Sequence, residues 1–285
     1  YCDVHPYTNS PPGGWSWTDL PGGVPDADDT PGAMLAILNL RAEGEAFSQE
    51  ELAALERAAQ WLLDLQNSDG GWPTFCRGWG TLPFDRSSND LTAHVLRALS
   101  LWRKRVPAHE GAQVARRVPD ALRRGLRFLK THQRDDGSWL PLWFGNQFNH
   151  DDENPLYGTA KVILALVEIG QSDTQTARRG IQWLVDNQND DGGWSGELGL
   201  PSSVEETSLA VEALADVRDV PKAAEAVKLG IAWLTVRIRN GTIDQPAPIG
   251  FYFAKLWYFE RLYPIIFSAA ALNRYVRRHS SGKPD

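Results

Sequence analysis

The chain of 285 residues is about twice the length of an ordinary domain, so one large domain or two smaller ones is the starting expectation. Its 29 Lys and Arg against 36 Asp and Glu give a formal net charge of −7, which argues against a nucleic-acid binder. No apolar run approaches the roughly 20 residues of a membrane-spanning helix. The two cysteines, Cys2 and Cys76, are too few for a disulfide framework and read as thiols of a reducing compartment. The outlier is 12 Trp against a single Met.

The elements alternate between two patterns. The first helix opens at Asp29-Thr30 and reaches Ala36-Ile37-Leu38. The next carries Arg57-Ala58-Ala59-Gln60-Trp61-Leu62 and ends at Gln66-Asn67-Ser68-Asp69-Gly70-Gly71-Trp72. A third opens at Asp90-Leu91-Thr92 and reaches Ala98-Leu99. A fourth carries Arg124-Gly125-Leu126-Arg127-Phe128-Leu129 and ends at Gln133-Arg134-Asp135-Asp136-Gly137-Ser138-Trp139. The pair recurs at Tyr157-Gly158-Thr159 to Ala165-Leu166, then at Arg179-Gly180-Ile181-Gln182-Trp183-Leu184 with Gln188-Asn189-Asp190-Asp191-Gly192-Gly193-Trp194. It begins again at Glu206-Thr207 to Ala213-Leu214, and partial copies stand at Gly13-Gly14-Trp15 and Gly230-Ile231-Ala232-Trp233-Leu234.

In the first pattern a Thr or acid is expected to cap a close-packed inner helix, with an Ala six residues after each Thr. In the second an amphipathic outer helix ends in a Gln, an Asx-Asp-Gly turn and a buried Trp. The Gln amide is expected to cap its own helix end, with the Trp stacked beside it. Helical hairpins of about 50 to 65 residues with almost no alternating strand pattern predict an all-α fold, an α/α barrel if the ring closes. No linker interrupts it. One domain over residues 1–277 and a polar, frayed tail over 278–285 are expected.

The sharpest chemical feature is Pro25-Asp26-Ala27-Asp28-Asp29-Thr30. Three carboxylates so close repel one another, so at least one should have a raised pKa. A carboxyl held protonated among aromatics can give its proton to a base as weak as an alkene. The bland alternative is an acidic helix start that complements the helix dipole; an Asp-rich Mg²⁺ site is a weaker one. His94 lies at the corresponding start of the next inner helix, where it could donate to Asp28, with Asp90 placed to hold its ring. Taken alone, His94 reads more readily as a satisfied core histidine.

With these residues in hand, the chain resembles the C-terminal, catalytic half of squalene–hopene cyclases and related class II triterpene cyclases. The resemblance runs from Gly13 to Tyr275. The Gln…Gly-x-Trp repeats match that family's QW motif, Asp26-Ala27-Asp28-Asp29-Thr30 its acid motif, and Asp90-Leu91-Thr92-Ala93-His94 its His segment. Asn154-Pro155-Leu156-Tyr157-Gly158-Thr159 and Gly250-Phe251…Tyr263-Pro264 match later blocks in the same order. The resemblance implies that Asp28 protonates a terminal alkene of squalene or a similar polyprenoid, supported by Asp26 and Asp29. His94 would hydrogen-bond to the acid with Asp90 behind it. Ring closures through carbocations would follow, with no metal and no organic cofactor.

Position by position, the resemblance makes Trp17, Phe75, Trp143, Tyr157, Phe251 or Tyr252, and Phe259 the aromatic lining that stabilises cations. Each reads equally as a packing aromatic of a Trp-rich core. Trp17 stands where the family usually has Phe, Phe75 where hopene-forming members have Tyr, and Leu256 where an aromatic is common. Asn149-His150-Asp151-Asp152-Glu153 reads as an inserted, solvated loop. Members of the family are about twice as long, so the chain is expected to be a fragment or a stand-alone domain lacking a second barrel. Through that missing half the family contacts a membrane, so a cytoplasmic site at the membrane face is implied, and a homodimer is left open. Competing readings are a non-catalytic QW-repeat lipid-binding or scaffold domain and a class II diterpene cyclase. A protein prenyltransferase β-subunit would need a zinc site that Cys2 and Cys76 do not provide.

Overall fold

The computed structural model describes residues 4–6, 8–20, 22–78, 83–107, 110–251 and 255–280, with the backbone alone at 249 and 280. Cys2, Trp79 and Tyr252 therefore lie outside the described residues. The chain divides into two compact units, residues 1–132 and 133–285.

The first unit holds α1 (Asp29–Leu40), α2 (Gln49–Leu65), α3 (Asn89–Arg105), α4 (Ala112–Ala115) and α5 (Val118–Thr131). Helix α1 packs on α3 and α3 on α5, while α2 backs both α1 and α3. α5 shows why an outer helix forms. It buries Val118, Ala121, Gly125, Phe128 and Leu129, a one-sided stripe at helical spacing. α3 is buried on most of its surface, from Asp90 to Trp102. Trp102, outside any repeat motif, is a core residue at 1% exposure.

The second unit holds α6 (Pro155–Glu168), α7 (Gln175–Asp186), α8 (Val204–Leu214), α9 (Pro221–Arg239), a hairpin of β1 (Pro248–Phe251) and β2 (Leu256–Phe259), and α10 (Tyr263–Ser280). Here α6 packs on α8 and α8 on α10, with α7 behind α6 and α9 behind α8. α8 is almost entirely buried. The antiparallel hairpin, paired Pro248 to Phe259 and Phe251 to Leu256, departs from the all-helical expectation. Its β2 segment, Leu-Trp-Tyr-Phe, carries the aromatic residues that favour a pleated surface. The last helix runs to Ser280, past the Arg277 at which a frayed tail was expected to begin.

The QW motifs do more than end a helix. The amide of Gln66 donates to Gly70 O at 2.8 Å in its own turn and to Ala121 O at 3.0 Å in the next outer helix. Gln133 spans Gly137 O and Thr176 O in the same way, and Gln188 spans Gly192 O and Ala226 O. The expectation of a cap for the Gln's own helix is thus corrected: each Gln ties its turn to the following helix. The Trp rings pack where the next outer helix has a glycine. A Cβ on Gly125, Gly180 or Gly230 would stand 3.0, 2.6 or 2.7 Å from Trp72, Trp139 or Trp194.

The Thr residues are corrected as well. The N-caps of α1, α3, α6 and α8 are Asp28, Ser88, Asn154 and Ser203. Thr30, Thr92, Thr159 and Thr207 sit inside the helices, and their hydroxyls accept the backbone N–H of Trp15, Trp72, Trp139 and Trp194 at 2.8 to 3.0 Å. The spacing that suggested a cap records a clip between the end of one repeat motif and the inner helix after it. A buried N–H needs such an acceptor.

Candidate functional site

The acid motif begins α1. Asp26 is 4% exposed, and its carboxylate takes the N–H groups of Asp28 at 2.8 Å and Asp29 at 2.6 Å, which the first helical turn cannot satisfy by itself. Its backbone is held on both sides: Asp26 N donates to Trp15 O, Ala27 N donates to Thr74 O, and Asp26 pairs with Phe75 across an isolated bridge. Burial, then a hydrogen bond shared with the Asp29 carboxyl and its negative charge, push Asp26 well above the usual carboxylate range. The expected raised carboxyl is therefore Asp26, the deepest of the three.

Asp28 is the one that can be reached. Its side chain is 58% exposed, against 18% for His94, and His94 Nε2 lies 4.0 Å from Asp28 Oδ1. Gly32, one turn on from Asp28, faces the His94 ring, and a Cβ there would stand in ordinary contact with it, 3.6 Å from Nε2. Asp90 is buried one turn before His94 and accepts the Ser88 hydroxyl. Trp17 and Phe75 complete this cluster, ring centroids 6.4 Å apart and edge to face, with Phe84 at 5.0 Å beyond Phe75. Trp17 is 61% exposed. Among the described residues, no three His, Cys, Asp or Glu are grouped to hold a metal ion.

The other described aromatics expected to line a cavity belong to the second unit. Trp143, 7% exposed, stands edge to face with Phe251 at 5.2 Å, and Phe144 lies 4.6 Å from Tyr157. Phe144 and Phe251 also pair by an isolated bridge. Phe259 and Leu256 are exposed, at 62% and 56%, at the two ends of β2.

Residues 5–277 match the family described as the squalene-hopene cyclase C-terminal domain. The chain belongs to this family. It is 29% identical over 299 aligned positions to a probable squalene–hopene cyclase of Sinorhizobium fredii, covering 96% of this chain and 43% of that protein. It is also 29% identical over 247 positions to a copalyl diphosphate synthase of Streptomyces cyslabdanicus, covering 85% and 38%. The chain thus spans less than half the length of these relatives. Among solved structures, a type II terpene cyclase from Scytonema in complex with geranylgeranyl dihydroxybenzoate matches at a TM-score of 0.64 and 15% identity, over 96% of this chain and 79% of that one. That likeness shows the α/α barrel fold class of terpene cyclases. No helix among the described residues is long and apolar enough to cross a membrane.

The domain also holds two buried carboxyls that its sequence did not single out. Glu206, read only as part of a helix start, and its neighbour Glu205 are 6% and 5% exposed. Burial pushes Glu205 up, and pushes Glu206 up to about 7 against the pull of its hydrogen-bond donors. The signal in the sequence was positional: Glu206 precedes Thr207 as Asp29 precedes Thr30. The inserted pentad is solvated only in part. His150 and Asp151 are exposed, but Asn149 is buried, Asp152 pairs with Lys255 at 2.9 Å and Glu153 with Arg134 at 3.0 Å.

Proposed function

We propose that this domain initiates a class II cyclisation, with Asp28 as the general acid. The observation that carries the reading is the pairing of a reachable Asp28 with His94, in front of a buried Asp26 whose pKa is raised by that burial. Asp26 is too deep to meet a substrate, and its carboxylate holds the turn that presents Asp28. The Asp28 O–H bond breaks as its proton adds to the CH carbon of a terminal trisubstituted alkene. The alkene's π electrons form the new C–H bond, leaving a tertiary cation and the Asp28 carboxylate. His94 orients the acid and offsets that new negative charge, and Asp90 stands behind it on α3. Each later ring closure converts one alkene and one cation into a new C–C bond and a new cation, until loss of a proton or addition of water ends the series. Trp17, Phe75, Trp143, Tyr157 and Phe251 are assigned the cation-stabilising role, since an aromatic face attracts positive charge.

Squalene or a similar neutral polyprenoid is the substrate class proposed first, on the family match and the Sinorhizobium relative. A diterpene cyclase acting on geranylgeranyl diphosphate is the second reading, favoured by the equal identity of the copalyl diphosphate synthase. The test is incubation of the protein with each substrate and mass analysis of the products. A cyclic triterpene from squalene alone supports the first reading, and a bicyclic diphosphate from geranylgeranyl diphosphate alone supports the second. Lipid binding without turnover of either, at wild-type folding, would leave the non-catalytic scaffold reading standing instead.

A further inference from the structure

The start of α8 carries two adjacent glutamates whose carboxyls reach in different directions. Glu206 Oε1 accepts the amide N–H of Asn146 at 2.8 Å and of Asn154 at 2.9 Å, and Oε2 accepts the Ser203 hydroxyl at 2.8 Å. Glu205 Oε1 accepts Ala247 N at 2.8 Å, and its other oxygen is buried with no hydrogen-bond partner. A buried carboxyl is tolerated only when such donors compensate its lost water. Three donors on one group and a bare oxygen on its neighbour are more than a helix start requires, because the hydroxyl of Ser203 already caps α8 through Glu206 N.

The donors on Glu206 determine backbone elsewhere. With its nitrogen committed to Glu206, the Asn154 amide must turn Oδ1 outward, where it accepts Tyr157 N at 3.0 Å and caps α6. The Asn146 amide is fixed the same way, and its Oδ1 accepts Phe148 N at 2.9 Å. Asn146 follows Trp143 and Phe144 within three residues, and Asn154 precedes Tyr157 by three. One carboxyl therefore grips both ends of residues 146–154, the segment that joins Trp143 and Phe144 to Tyr157. Glu205 grips the segment leading into β1, four residues before Phe251. The base is firm: α8 is buried, and Thr207 in its first turn clips Trp194 N.

We infer that Glu205 and Glu206 are positioning residues that hold the two walls of the Trp143–Phe251 and Phe144–Tyr157 cluster, and so set where cyclisation stops. This inference rests on the proposed cyclase reading, but the restraint it describes can be read without turnover. Neither glutamate touches substrate. They act through Asn146, Asn154 and Ala247, and the cluster, once loosened, stabilises the wrong cation.

The test compares Glu206→Ala with Glu206→Gln. The Gln side chain keeps an acceptor oxygen for both Asn amides; Ala keeps none. Amide hydrogen exchange over residues 143–157 is expected to accelerate at least tenfold in Glu206→Ala and to stay within about twofold of wild type in Glu206→Gln. The ratio of early-terminated to fully cyclised product is expected to shift about tenfold in Glu206→Ala, with rescue by Gln, while substrate consumption falls far less than when Asp28 is replaced. If Glu206→Ala does not fold, Asn146→Ala removes one grip and leaves the α6 cap, with a smaller shift in the same direction. Unchanged exchange at Phe148 and Tyr157, or a product shift equal in the Ala and Gln variants, overturns the inference. Accelerated exchange in a protein whose wild type cyclises neither substrate overturns the proposed function and supports the restraint.

Discussion

The starts of α1 and α8 fill the same slots of the repeat with Asp28-Asp29-Thr30 and Glu205-Glu206-Thr207. In both, the Thr clips a Trp backbone N–H, at 2.8 Å to Trp15 and 2.9 Å to Trp194. The acids before it diverge. In α1 the deep carboxyl, Asp26, comes from the turn and takes helix N–H groups, which leaves Asp28 on the surface beside His94. In α8 the turn supplies Ser203 for that work, and both glutamates go inward to grip loops. One slot thus presents a reachable carboxyl in α1, where the proposed acid stands, and buried carboxyls that bind loop donors in α8. What decides between them is which residue satisfies the first helical turn.

The largest effect that sharpens this contrast is expected at Asp28. Asp28→Asn removes the proposed proton donor and should lower turnover roughly 10²- to 10⁴-fold or more, with thermal stability nearly unchanged because the side chain is mostly exposed. Removing the repeat Trp that the start of α8 clips comes next. Trp194→Ala deletes a fully buried ring and its bond from Nε1 to Leu184 O, and should destabilise by about 3–5 kcal/mol in urea unfolding.

A third prediction concerns pH. The Glu206 carboxyl is pushed from 4.5 up to about 7 by burial, with the neighbouring Glu205 charge acting in the same direction. The folded state therefore holds this proton more tightly than the unfolded one, and stability falls as pH rises from about 4.5 to about 7. Glu206→Gln should remove that decline, worth up to about 3 kcal/mol, when unfolding is compared at pH 5 and pH 8. Thr207→Val, which keeps the shape but leaves the Trp194 N–H unsatisfied, should cost about 1–3 kcal/mol. The smallest stability effect is expected for Trp17→Ala, within about 0.5 kcal/mol because the ring is 61% exposed.

These differences also mark what the sequence could carry. The helical hairpins and the acid motif were legible because they rest on short spacings: a Thr-to-Ala interval, a Gln-to-Trp turn, three acids in one turn. The Thr clips and the Gln ties were misread as local caps, since each acts on a backbone group in another segment. Glu206 was not legible as a restraint at all, because its Asn partners lie 60 and 52 residues away and only folding brings them together. The β1–β2 hairpin was hidden for a different reason: short aromatic runs fit a buried loop as well as a strand.

The central claim is that Asp28 starts the reaction by giving a proton to an alkene. Incubation with squalene in D₂O tests it most directly, with the products analysed by mass and NMR. The account predicts one deuterium on the ring carbon next to the gem-dimethyl carbon, and no such product from Asp28→Asn. A cyclised product without deuterium at that carbon, or labelled product formed by Asp28→Asn at the wild-type rate, would contradict it.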